Sequence, residues 1–151
     1  MNSASTTWPL RTVAHAAQMK PRALRQWLDT KVMKLRGNDR KSTGPGNQCG
    51  LSRQRAYQAA IVQHLNRHGV SVSRAAKAAF EFSDCGNMGR APGEVFEHGK
   101  TWLLIIGPDS AIVKNIFDDT SLIDISDNAA CIIVDLNKIV EQVDAVLNTI
   151  S

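Results

Sequence analysis

Arg22, Arg25 and Gln26 are the residues of this 151-residue chain whose types and spacing suit a definite chemistry. A guanidinium can donate two hydrogen bonds to guanine, and a Gln amide can make a matched pair with adenine. A helix presenting both side chains outward could therefore read base edges. The spacing permits that helix over Pro21–Thr30. Leu24, Trp27 and Leu28 fall at i, i+3 and i+4 as an inward stripe, which leaves Arg22, Arg25, Gln26 and Asp29 on the remaining arc. Pro21 suits the first helical position, where its missing N–H is unpaired in any case. Lys20 adds a cation just before it. Downstream, Lys34–Gly50 has four glycines, no hydrophobic periodicity, and the cations Arg36, Arg40 and Lys41. It reads either as a disordered loop or as a hairpin wing whose cations lie along a phosphate backbone.

Other chemistries lack their residues. The sequence contains no nucleophile elbow, phosphate-binding Gly-Lys loop or HExxH pair, so no catalytic residue is assigned. Cys49, Cys85 and Cys131 fall singly in separate segments, without the CxxC spacing of a zinc site. Asp118, Asp119, Asp124 and Asp127 lack the alternating ligands and closing Glu of a calcium loop, and His98 reads as a turn residue. No metal or cofactor is expected. The start of the chain has no apolar signal core, and the longest apolar run, from Trp102, is too short to span a bilayer. A cytoplasmic protein without a membrane partner is the expectation.

Charge divides the chain. Met1–Gly93 holds 15 cations against 4 anions, net +11, and Glu94–Ser151 holds 3 against 10, net −7; together they make the +4 of the whole. A basic half suits a polyanion, and an acidic half would be repelled by one.

The elements that would position the base-reading residues can be placed by pattern. Thr12–Ala17 forms a short helix, with Met19-Lys20 as the turn into Pro21–Thr30. Ser52 is a good N-cap for a third helix carrying Ala56, Ala59, Ala60, Val62 and Leu65, and Gly69 ends it. A fourth, Ala-rich helix covers Val72–Glu81. Asp84–Gly93, rich in Gly and Pro, reads as a linker. The acidic half begins with a hairpin over Glu94–Ile106, turning at His98-Gly99. A short helix follows from Pro108, with Ile112, Val113, Ile116 and Phe117 on one face. Leu122–Ile125 and Ala130–Asp135 read as two more strands. The final helix carries the stripe Leu136, Ile139, Val140, Val143, Val146, Leu147 and Ile150. That stripe either packs on its own sheet or, through Leu136, Ile139, Val140, Val143, Val146 and Leu147, pairs with a second copy.

The first half resembles the MerR-type winged helix-turn-helix. The resemblance is carried by Thr12-Val13-Ala14 to Ala17, then Arg22-Ala23-Leu24-Arg25-Gln26-Trp27, then Leu51-Ser52, and then the helix ending Leu65-Asn66-Arg67-His68-Gly69-Val70-Ser71. It covers about Leu10 to Phe80. The resemblance implies that Arg22 faces the major groove and that Arg25 holds the backbone. Gln26-Trp27 stands where the family has a Tyr pair, and Lys31-Val32 where it has a Gly. Cys49-Gly50-Leu51 replaces an Arg-Tyr, and Arg55 replaces an acid near the third helix start.

The expected fold is therefore α+β. A MerR-like winged helix over residues 9–83 and a linker over 84–93 lead into a small ββαββα domain over 94–151 for dimerisation or partner binding. The expected function is that of a homodimeric, sequence-specific regulator of transcription on double-stranded DNA. An excisionase-like DNA-bending factor and a nucleic-acid-anchored adaptor with a protein partner are the other readings.

Overall fold

The structure, a computed structural model, describes residues 6–42, 44, 49–117 and 130–149. A short strand β1 (Trp8–Pro9) runs directly into helix α1 (Leu10–Ala16). The chain turns through Gln18, whose φ of 58° lies in the left-handed region, into α2 (Pro21–Asp29) with Pro21 at its start. Leu24 and Trp27 are buried and Leu28 is half-buried, so the inward stripe forms as its spacing predicts.

Lys31 ends α2 in a left-handed conformation, φ 62°. Its N–H donates to Leu28 O and that of Met33 to Trp27 O, the bonding that closes a helix at a C′ residue. Glycine adopts this conformation freely, whereas an L side chain pays about 1 kcal/mol.

Strand β2 (Gly50–Leu51) returns to pair antiparallel with β1. Ser52 then caps α3 (Arg53–Arg67), its Oγ accepting from the Arg55 N–H, and Gly69 follows the helix at φ 90°. Ser71 caps α4 (Val72–Ser83) in the same way.

The second half holds a three-stranded antiparallel sheet. Strand β3 (Lys100–Ile105) lies between β4 (Ala111–Ile116) and β5 (Ile132–Asp135), and α5 (Leu136–Leu147) follows. The fold is thus α+β, with two corrections to the ββαββα pattern.

The segment after Pro108 is strand β4, not a helix. Its apolar residues fit either period. β3 decides between them by offering a strand edge and apolar faces on both sides. Val113 then points into the main core, while Ile116 joins a second cluster with Leu104. Residues 107–110 become the connection, with the Ile106 N–H donating to Ser110 O.

Glu94–Glu97 is not a strand, because both edges of β3 are taken. Its backbone is bonded elsewhere: Glu94 O accepts from Arg90, and the Phe96 N–H donates to Thr101 Oγ1 at 2.7 Å. The expected strand Leu122–Ile125 lies outside the described residues.

The two oppositely charged halves share one apolar core running from Trp8 to Leu147. Helix α5 packs against α1, α3 and β3, with Leu136, Ile139, Val143 and Leu147 buried and Val140 and Val146 packed on the same core. The stripe considered for dimerisation is therefore used within the chain.

A polar tie reinforces this packing. Asp144 of α5 accepts from the Tyr57 hydroxyl at 2.6 Å and pairs with Arg53, whose guanidinium also lies 5.0 Å from the Trp8 ring centre. Burial, and then the bond to Asp144, push the Tyr57 phenol well above its ordinary range.

Asp84–Gly93, expected as a linker, is tied to the end of α4 by Arg90 and by the Gly93 N–H donating to Phe82 O. Arg90, buried, donates to the carbonyls of Glu81, Phe82, Cys85, Ala91 and Glu94, and its guanidinium lies 5.2 Å from the Phe82 ring centre. These include carbonyls that the end of α4 leaves without helical partners. Phe82 O and Ala91 O also accept from the Gly93 and Glu94 N–H groups, so replacing Arg90 with Met should strand chiefly the carbonyls of Glu81, Cys85 and Glu94, costing about 3 kcal/mol; urea unfolding of the variant measures it.

Candidate nucleic-acid interface

On α2, Lys20, Arg22, Arg25 and Gln26 are all exposed, over a buried underside of Leu24 and Trp27. The helix is held from both ends. At its start, Arg67 of α3 donates to Gln18 O at 2.7 Å, which fixes the turn from α1. At its far end the Lys31 turn reverses the chain, and Met33 is buried beneath it. The outward arc inferred from spacing thus sits on a helix whose entry turn is bonded to α3 through Arg67.

The segment after α2, expected to form a wing, is anchored by Asp39, whose side chain has no exposed surface. One carboxylate oxygen accepts from the Ser52 N–H at 2.7 Å. The other accepts from the Arg36 N–H and from Arg55 Nε, each at 2.8 Å. Beside it, Arg40 and Gly50 exchange two backbone hydrogen bonds of 2.7 and 2.8 Å, an isolated bridge of the kind that closes a hairpin base. Gly50 is required there, because a Cβ would run into the Thr7 side chain.

Arg40 and Lys41 are exposed at this base. Arg36 is exposed too, but its guanidinium lies 4.6 Å from the centre of the Phe80 ring. It is therefore directed onto α4 and not grouped with the α2 residues. Residues 43 and 45–48 lie outside the described part.

Arg55 joins the segment around Asp39 to the rest of the fold. It is fully buried near the start of α3, where the helix dipole disfavours a cation. Two carboxylates compensate for this. Nε bonds Asp39, and the two terminal nitrogens form a fork on Asp84, each at 2.9 Å. Gln58 Oε1 accepts as well, while its amide nitrogen donates to Ala76 O.

Burial alone would raise Asp84, but the bonds from Arg55 and Ser83 outweigh it and hold the carboxyl below its usual range. The network was not legible in the pattern, where Arg55 stands as a missing cap acid and Asp84 as the first residue of a linker. A cation in the first turn of a helix with no acid nearby in sequence was the available signal that a distant carboxylate must be present.

Among the described residues no helix is long and apolar enough to cross a membrane. No protein-family model and no curated protein matches the chain.

Removing one partner of a buried ion network strands the others. Arg55→Met should therefore lower stability by roughly 3–5 kcal/mol, read from urea unfolding. Acid should act on the same network. The folded-state pKa of Asp84 lies below its unfolded value of about 3.9, so its contribution is complete above about pH 4 and is lost as pH falls through the folded value. The melting temperature should drop on that acid limb, and Asp84→Asn should flatten it. An unchanged limb in the variant would assign acid sensitivity to other carboxylates.

Proposed function

We propose that this protein binds double-stranded DNA in a sequence-specific manner and regulates transcription, with α2 in the major groove. The observation that supports this best is the outward set Lys20, Arg22, Arg25 and Gln26 on a helix braced at both ends. Bidentate base contacts need such bracing, since a loosely held helix would blur them. In this reading Arg22 and Gln26 meet base edges and Arg25 holds a phosphate. Arg40 and Lys41 extend the backbone contact from the wing base.

The acidic residues of the second half carry no role on DNA and would be repelled by it. A two-fold operator requires two copies of the chain. Leu136, Ile139, Val143 and Leu147 are buried in the core while Val140 and Val146 are half-buried, so a dimer surface on α5 in this reading draws on the latter two.

Arg22→Ala should relax base preference at one operator position and cost about 1–3 kcal/mol there. Arg40→Ala should weaken all sequences alike and reduce the salt slope by about 1. Selection from random DNA, followed by anisotropy titrations over a salt series, measures both. Full-length protein without sequence preference at physiological salt would sink the proposal.

A further inference from the structure

A groove of about 600 Å³ lies on the far side of the wing base, between the chain leaving α2 and the outer face of α4. Its volume is that of a small-molecule site. Lys31, Lys34 and Arg36 contribute one wall, and Lys77 and Phe80 the other. Glu81 and Asp109 also line it, so four cations face two carboxylates. The outward α2 residues Arg22, Arg25 and Gln26 are not part of this lining.

Three features distinguish the groove from an ordinary basic surface. Lys31 occupies a left-handed position that glycine would fill without strain, so the cation is held there against a backbone cost. Among the described residues neither Lys31 nor Lys34 has an ion-pair partner. Lys77 is paired with Asp109 only at 3.5 Å, with both side chains more than two-thirds exposed (68% and 80%), a contact that a phosphate can displace at little cost.

The Arg36–Phe80 pair adds to these. The Arg36 guanidinium rests on the Phe80 ring at 4.6 Å, while its own backbone N–H is fixed by Asp39. A guanidinium plane backed by an aromatic ring is a platform on which a planar base can stack.

We infer that this groove binds a nucleotide-class organic phosphate, its phosphates among Lys31, Lys34 and Lys77 and its base stacked on Arg36 over Phe80. The inference does not depend on DNA binding. A ligand placed there would bridge the segment that ends α2 to α4, joining the base of the wing to the helix that packs on the sheet.

Isothermal titration calorimetry of the full chain with ATP and with inorganic tripolyphosphate tests it. ATP should bind saturably, and tripolyphosphate, which lacks a ring, should bind about fivefold or more weakly. Lys31→Gly removes a cation and relieves the backbone, so it should weaken ATP roughly two- to fivefold without lowering the melting temperature. Phe80→Leu should weaken ATP and leave tripolyphosphate unchanged. Arg11→Ala, an exposed cation on α1, should change neither. Absence of saturable ATP binding at low salt, equal affinity for the two probes, or equal losses from Lys31→Gly and Arg11→Ala would each overturn the inference. So would displacement of ATP by duplex DNA in direct competition.

Discussion

A single buried guanidinium connects the parts of this protein that share no sheet. Arg55 reaches from the first turn of α3 to Asp39, between α2 and β2, and to Asp84 just beyond α4, with Gln58 completing its partners. Three charges are thereby taken out of water or nearly so, which is tolerable because the donors are matched by carboxylate oxygens in good geometry. Asp39 also accepts from the backbone at Arg36 and at Ser52. The segment around Asp39, the start of α3 and the end of α4 are therefore joined by one network.

Charge and core divide the chain differently. The sign of the charge changes at the Gly- and Pro-rich stretch after α4, yet the apolar core crosses it without a break. Arg90 gathers the carbonyls of that stretch around one guanidinium. Asp144 of the acidic half is matched to Arg53 and Tyr57 of the basic half. Electrostatic separation keeps like charges on each half for use at the surface. Hydrophobic burial, which is indifferent to sign, joins the halves beneath it.

Much of the basic half was legible because its signals are local. The cap at Ser52, the N1 proline of α2, the left-handed glycine after α3 and the stripe Leu24, Trp27, Leu28 each depend on residues within a turn or two. The outward arc of α2 follows from that stripe. What escaped were contacts between residues far apart in sequence, namely Arg55 with Asp84, Arg67 with Gln18, and Tyr57 with Asp144. The short strand β1 escaped as well, since two residues leave no period to read.

The sequence by itself determined which stretches are helical in the first half, which of their faces are apolar and where the cations fall. These are consequences of side-chain period and capping chemistry acting over a few residues. Only the tertiary structure decided that Ile112–Ile116 is a strand, because its apolar residues suit either period and β3 supplied the partner. It also decided that the α5 stripe faces α1, α3 and β3, since an apolar stripe states that it will be covered and not by what. It turned Arg36 from a wing residue into a platform on Phe80, and Arg55 from an absent cap into the centre of the ion network. Such assignments depend on which distant groups meet, and that is settled only when the whole chain has packed.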